Sequence, residues 1–191
     1  VHVSAIHDAT LAAIAAQVYL DGGQPTRAKE ITQKSLRIKN LTPLERLELE
    51  ALTCSALAEE GKRSVAIKLL RRMESEVETI YMPIDTRADF FSRLARMQFF
   101  LGRYLQAGEL FLQAAPLYFE LGNWDSAARS YFNTGAGFQN AGGKREPEAF
   151  IYVEECRKIA ADNNLQGPLS ACAAFYGVDS YHHGDFATAL N

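Results

Sequence analysis

Apolar side chains recur at steps of three and four residues along almost the whole chain, which is typical of amphipathic helices that bury one face. Sustained two-residue alternation is absent from the sequence, and most Gly and Pro residues fall between the periodic segments or at their starts. The pattern predicts helices at 5–20, 25–39, 43–60, 63–80, 86–101, 104–121, 124–141, 146–163 and 168–182, with a tenth beginning at 185. In the helix at 104–121, the stripe predicted for burial is Ala107, Leu110, Phe111, Ala114, Leu117, Tyr118 and Leu121.

Six helical segments end at a glycine, and an alanine follows each glycine inside the next helix. Five copies share one spacing and a sixth is two residues longer: Gly23–Ala28, Gly61–Ala66, Gly102–Ala107, Gly122–Ala127, Gly184–Ala189 and Gly142–Ala149. We expect each glycine to take the left-handed conformation that closes a helix. We expect each alanine to let two helices approach closely, so that a large residue at Ala107 or Ala127 overpacks the joint.

Several helix starts carry recognisable caps. Thr42, Pro43 and Glu45 form a predicted capping box, with Pro43 in the first turn. Asn123 and Asp185 each follow a Gly and are predicted N-caps. Pro116 lies inside a predicted helix and removes one backbone hydrogen bond, so we expect a kink there.

The spacing of the glycines indicates a repeat. Gly61, Gly102, Gly143 and Gly184 follow one another at intervals of 41 residues, which fits two helices and their turns. One helix pair cannot bury its apolar stripe alone, whereas stacked pairs can. We therefore predict an all-α solenoid, a single array over residues 1–191. It contains five antiparallel helix pairs near 5–39, 43–80, 86–121, 124–163 and 168–191, the last incomplete, and we expect the chain to be a piece of a longer protein.

The composition of the chain argues against some classes of function. The net charge is −3, with 48% hydrophobic and 23% charged residues, which argues against nucleic-acid binding by this segment. The sequence contains no apolar run long enough to span a membrane. The three cysteines, Cys54, Cys156 and Cys172, are odd in number and widely spaced. We interpret them as buried small residues in a reducing compartment and predict a cytoplasmic protein.

The residues from 87 onward resemble the tetratricopeptide repeat (TPR) family. The matching positions, in order, are Phe91, Leu94, Ala95, Gly102, Tyr104 and Ala107, and later Tyr176, Gly177, Gly184, Asp185, Phe186 and Ala189. The repeat length is similar to the longer type found in LGN-like adaptors, kinesin light chains and MalT-like regulators. The match is poorer near the N-terminus, where Ala12 stands in place of an aromatic residue. The resemblance implies a right-handed superhelix whose concave face is lined by the first helix of each pair.

The register of that resemblance gives candidate groove residues for binding a protein or peptide. They are Asp89, Arg96, Phe99, Phe100, Arg129, Phe132, Gln139, Asn140, Tyr181 and His182. Arg96 with Phe99 and Phe132 would form an anchor set, because arginine and aromatic side chains dominate binding energy. The alternative is that Phe99, Phe100 and Phe132 pack between neighbouring repeats. The clamp by which chaperone-binding members hold a peptide carboxylate is absent.

The other groups of polar residues in the sequence do not form a recognisable catalytic or metal-binding motif. His182 and His183 are adjacent, and adjacent residues on a helix diverge too far to share one metal ion easily. The basic run Lys62, Arg63, Lys68, Arg71 and Arg72 is interpreted as a solvated face, with an acidic partner as the alternative. The sequence contains no phosphate loop or nucleophile beside a base. We predict no enzyme activity, no cofactor and no metal.

Two functions remain open at this point. The first is a scaffold that binds a peptide or helical segment of a partner protein in the concave groove. The alternative is a ligand-sensing segment of a larger signalling or transcription regulator, as in MalT-like proteins. The identity of the partner and the oligomeric state do not follow from the sequence.

Overall fold

The computed structural model describes residues 8–182, apart from the side chains of residues 179–182. Within that range the chain forms nine α-helices and one 3₁₀ helix, and it contains no strand. The helices are α1 (Ala9–Asp21), α2 (Pro25–Ser35), α3 (Pro43–Glu59), α4 (Arg63–Val77), α5 (Ile84–Phe100), α6 (Tyr104–Glu120), α7 (Trp124–Ala141), α8 (Ala149–Asp162) and α9 (Gln166–His182), with the 3₁₀ helix at Gly143–Glu148. All nine predicted helices in this range are present, but α2 and α4 end earlier than predicted, at Ser35 and Val77, and α8 begins later, at Ala149. The predicted tenth helix lies outside the described residues.

The helix ends follow the predicted glycine chemistry. The residues that close the helices in the left-handed region, with φ between 65° and 75°, are Gly23, Gly61, Gly102, Gly122 and Gly142. A side chain would be strained at these positions, because L residues avoid positive φ. The prediction for Gly184 lies outside the described residues.

The predicted caps at two helix starts are also present. The Thr42 hydroxyl accepts a hydrogen bond from the Glu45 amide, and the Glu45 carboxylate accepts one from the Thr42 amide, which completes the capping box of α3. The Asn123 side chain accepts from the Ser126 amide and caps α7. Pro116 lies within α6, which continues to Glu120, and the kink there stays a prediction. The predicted cap Asp185 is outside the described residues.

The alanine that follows each glycine is buried in every described copy. The five residues with no exposed surface are Ala28, Ala66, Ala107, Ala127 and Ala149. All five therefore belong to the core, and the close approach of two helices at these positions stays a prediction. One burial prediction is wrong: Leu121 is 42% exposed, because it lies past the last turn of α6 and points away from the core.

The chain divides into two compact units, Val1–Met82 and Pro83–Asn191. In the first unit α1 packs against α2, α2 against α3 and α3 against α4, and α1 also packs against α3. Leu47, Leu49 and Leu70 are fully buried there. A buried hydrogen bond from the Thr53 hydroxyl to the Thr32 hydroxyl, 2.7 Å long, joins α3 to α2.

The second unit contains α5 to α9. Each helix packs against the next in sequence, and α7 also packs against α9. Phe138 and Val153 are fully buried between α7 and α8, and Phe175 joins them from α9. Because α6 packs against both α5 and α7, these three helices surround the site described below.

None of the helices within residues 8–182 combines the length and the apolar character that a membrane span requires.

Candidate functional site

A cleft of about 300 Å³ opens in the second unit between three consecutive helices. The lining residues are Asp89, Ser92 and Arg96 from α5, Phe111 and Tyr118 from α6, and Ser126, Arg129, Ser130 and Asn133 from α7. On α5 and α6 these residues are spaced three, four or seven apart and share one face, and on α7 Ser126, Ser130 and Asn133 do so with Arg129 beside them. The cleft is a consequence of helix register rather than of any loop.

The cleft has a buried floor and a charged rim. Phe111, Tyr118 and Ser130 form the floor and are no more than 6% exposed. Asp89, Arg96 and Arg129 are exposed and surround the opening. The small side chains of serine on α5 and α7 leave the space that a larger residue would fill. The site therefore offers two aromatic rings and a serine below and charged groups of both signs above, and most of its accessible lining is polar.

A hydrogen bond joins the floor to the rim. The Tyr118 hydroxyl donates to Oδ1 of Asp89 across 2.7 Å, which links α6 to α5. Burial raises the pKa of Tyr118 to about 12, and the Asp89 carboxylate acts in the same direction. Tyr118 therefore stays a neutral donor at physiological pH and fixes the orientation of the Asp89 carboxylate.

The two arginines differ in how far they are already neutralised. Nε of Arg129 donates to the Asp125 carboxylate over 2.7 Å, one turn earlier on α7. Arg96 makes no ion pair within residues 8–182. Arg96 lies close enough to Tyr118 for its positive charge to act against the rise in the pKa of Tyr118. Arg96 is thus the rim cation with the most capacity to receive a new anionic or hydrogen-bonding group.

The predicted aromatic anchors do not line the cleft. Phe99 packs edge-on against Tyr104, with ring centroids 5.0 Å apart, and Phe132 packs edge-on against Phe175 at 6.1 Å. Both are half-buried, so the alternative of packing between helices describes them. Phe100 is 65% exposed at the end of α5, outside the cleft lining.

The remaining predicted groove residues are also separate from the cleft. Gln139 is half-buried near the end of α7, and Asn140 is exposed and donates from Nδ2 to the carbonyl oxygen of Ala136 across 2.7 Å. The side chains of Tyr181 and His182 lie outside the described residues. Of the predicted set, the structure brings Asp89, Arg96 and Arg129 together.

Sequence reasoning missed most of the floor and the α7 wall. Tyr118 and Phe111 were predicted to be buried, and they are, but nothing in the spacing showed that a cleft opens above them. Ser126, Ser130 and Asn133 share the helix face of Arg129, which was the available signal.

Among the described residues, no group of three or more His, Cys, Asp or Glu side chains could hold a metal ion. The basic run on α4 is partly used internally, because Arg72 pairs with the buried Glu50 and with Glu76.

No protein-family model and no curated relative matches the sequence. Solved structures do match. The chain is similar to a putative kinesin light chain with nearly identical TPR-like repeats from Podosopora anserina, with 20% identity and a TM-score of 0.75, over 95% of this chain and 89% of that one. The chain has a TPR-like fold. A point variant of the same protein aligns equally well. BtubC (BKLC) from P. vanneervenii aligns with a TM-score of 0.59 at 20% identity, over 92% of this chain and 69% of that one.

At 20% identity the likeness extends to the fold alone, so the role of the cleft is argued below from its own residues.

Proposed function

We propose that this TPR-like chain is a protein-interaction module that holds a peptide segment of a partner in the cleft between α5, α6 and α7. The observation that carries this proposal is the arrangement of the cleft itself, in which the buried aromatic rings of Phe111 and Tyr118 lie beneath the exposed Arg96 and Arg129. Such a site can bury one side chain of a peptide while the rim pairs with its charges. The groups are held on three helices before a partner arrives, so little ordering entropy is lost on this side.

The predicted absence of catalysis belongs to the same proposal. The serines at the cleft are Ser92, Ser126 and Ser130, and no histidine is among the described residues that line it. A cytoplasmic location is likewise proposed, on the ground that all three cysteines are free and buried. The regulatory alternative would place a small ligand in the cleft, and a volume of about 300 Å³ is at the lower limit for such a ligand.

The test uses a defined probe. A library of linear peptides is displayed on phage and selected against the wild-type chain, and the affinity of each selected peptide is measured by fluorescence anisotropy. We expect Arg96→Ala with Arg129→Ala to weaken binding at least tenfold, because both rim cations are lost; tenfold corresponds to about 1.4 kcal/mol.

Arg71→Ala is the matched control, since Arg71 is an exposed arginine on α4 in the other unit. Its affinity should equal that of the wild type. Equal losses in the two variants would contradict the proposal, as would amide chemical-shift changes that map away from α5, α6 and α7. Selection of no peptide, together with saturable binding of a small molecule that shifts the same amides, would favour the ligand-sensing alternative.

A further inference from the structure

Two cysteines that are distant in sequence meet in the core of the second unit. Cys156 lies on α8 and Cys172 on α9, sixteen residues apart, and their Sγ atoms are separated by 2.8 Å. Neither residue has exposed surface. A disulfide bond is about 2.05 Å long, so bond formation requires the two sulfur atoms to approach by less than 1 Å.

Each thiol also faces a carbonyl group of the opposite helix. Sγ of Cys172 lies 3.6 Å from the Val153 carbonyl oxygen on α8, and Sγ of Cys156 lies 4.0 Å from the Pro168 carbonyl oxygen on α9. These contacts hold both sulfur atoms in the interface between the two helices. The pair is therefore oriented by both helices.

We propose that Cys156 and Cys172 are an oxidation-sensitive dithiol that forms a reversible disulfide between α8 and α9 when the chain meets a peroxide. In a reducing compartment the pair stays as two thiols, as it is here. A peroxide load converts it to the bonded state. The bond would tie the last described helix to its neighbour.

The chemistry balances with hydrogen peroxide as the oxidant. The Cys172 thiolate attacks one peroxide oxygen, which gives a sulfenic acid on Cys172 and releases hydroxide. Cys156 loses its proton and its sulfur attacks the sulfur of Cys172, so that the S–S bond forms and the hydroxyl group leaves as water. Overall two thiols and one peroxide give one disulfide and two waters, with two electrons passing from sulfur to oxygen.

The surroundings favour Cys172 as the attacking group. A hydrogen bond from Cys156 lowers the pKa of Cys172, whereas that hydrogen bond and burial raise the pKa of Cys156. The charged groups facing the pair are Arg129, Arg157 and Glu154. Because both sulfur atoms are buried, peroxide reaches them only when α9 opens locally, and we expect oxidation to take minutes rather than seconds.

Cys54 provides a control within the same chain. It is also fully buried and faces a carbonyl oxygen, that of Ala66 at 3.4 Å, but it lies in the other unit without a cysteine neighbour among the described residues. Burial raises the pKa of Cys54 to about 12, so it is a poor nucleophile. Cys54 should stay a thiol under conditions that oxidise the pair.

The experiment counts thiols on the intact chain. The protein is exposed to submillimolar hydrogen peroxide, quenched, unfolded in guanidinium chloride and alkylated, and its mass and tryptic peptides are then measured. We expect three alkylated cysteines before oxidation and one, Cys54, afterwards, with a peptide that links Cys156 to Cys172 and a return to three after reduction. The oxidised chain should also unfold at a higher temperature than the reduced chain.

Cys54→Ser should still lose two thiols on oxidation, whereas Cys156→Ser and Cys172→Ser should not form the linked peptide or gain thermal stability. Three outcomes would overturn the proposal: persistence of all three thiols, a linkage that involves Cys54 or a second chain, or direct conversion of either cysteine to sulfinic acid. If a serine variant fails to fold, the number of thiols lost by the wild-type chain still tests whether the disulfide forms.

Discussion

Gly137 of α7 lies directly against the backbone of Gly108 of α6. A Cβ atom added at Gly137 would stand 2.9 Å from both the Cα and the amide nitrogen of Gly108, and 3.0 Å from the Tyr104 carbonyl oxygen. The neighbouring atoms are backbone and cannot move aside. The two helices therefore cross at a contact that only glycine permits, and this contact fixes the wall of the cleft against its floor.

The first prediction concerns that crossing. Gly→Ala inside a helix normally stabilises by roughly 0.5–1 kcal/mol. At Gly137 the clash should dominate, and we expect Gly137→Ala to lower the free energy of unfolding by about 1–3 kcal/mol in urea titrations.

Gly167→Ala is the control, because a Cβ there would meet only the flexible end of Arg129, at 3.3 Å. It should be neutral or mildly stabilising. A Gly137→Ala variant as stable as Gly167→Ala would show that α6 and α7 cross elsewhere.

The second prediction tests the alanine that follows each helix-closing glycine. Ala107 has no exposed surface in α6, so Ala107→Leu must push α6 away from a neighbour. We expect a loss of about 1–3 kcal/mol in the free energy of unfolding, measured by thermal or urea unfolding. Ala161→Leu in α8 is the matched control, since Ala161 is exposed and should tolerate leucine within about 0.5 kcal/mol. If the two variants unfolded alike, the close approach at Ala107 would be refuted.

The third prediction is a pH dependence at the junction of α2 and α3. Glu60 accepts hydrogen bonds from Thr26 Oγ1 at 2.9 Å and from Lys29, and it also pairs with Lys62. The hydrogen bonds from Lys29 and Lys62 lower the pKa of Glu60 to about 2 from an ordinary value of 4.5. A depressed folded-state pKa stabilises the fold above pH 4.5, and this contribution is lost as the pH falls from 4.5 towards 2.

Glu60→Gln should accordingly reduce the free energy of unfolding near neutral pH by about 0.5–1 kcal/mol, the range for ion pairs near the surface. The difference from wild type should shrink as the pH falls from 4.5 and vanish below about pH 2. Glu78→Gln serves as the control, because Glu78 is exposed and makes no ion pair within residues 8–182. A pH-independent effect of Glu60→Gln would mean that packing rather than charge is responsible.

How far the sequence predicts this molecule depends on the range of the interactions involved. Gly23, Gly61 and Gly102 predicted the helix ends correctly, because the left-handed residue that closes a helix depends only on the neighbouring residues in the chain. Gly108 and Gly137 must also be glycine, but for a different reason: a side chain at either position would collide with the neighbouring helix. The sequence shows this only as a glycine inside a helical pattern.

The site shows the same division. The register of the TPR resemblance put Asp89, Arg96 and Arg129 among the candidate groove residues, and all three line the cleft, but the depth of the cleft depends on how α5, α6 and α7 cross, which neither the register nor the helical period contains. The cysteines extend this point. The separation of Cys156 and Cys172 along the chain suggested unrelated residues, whereas the turn between α8 and α9 brings them into contact.

The last prediction concerns the hydrogen bond between Tyr118 and Asp89. Tyr118→Phe removes the donor and should reduce the free energy of unfolding by about 0.5–1.5 kcal/mol, since Asp89 is exposed and water can replace the lost partner. The raised pKa of Tyr118 gives the sign of the pH dependence. The folded state holds the phenol proton up to about pH 12, so this stabilisation is present below pH 10 and is lost as the pH rises between these values.

Ultraviolet titration of phenolate formation measures this directly, with the Tyr118→Phe difference curve assigning the signal. In Asp89→Asn the pKa of Tyr118 should fall but remain above its ordinary value, because burial, the larger cause, is unchanged. Tyr81→Phe is the control, as Tyr81 is 91% exposed and its removal should alter neither stability nor the late-titrating signal. A wild-type curve from which Tyr118→Phe removes no late-ionising tyrosine would show that Tyr118 is not held against Asp89 in solution.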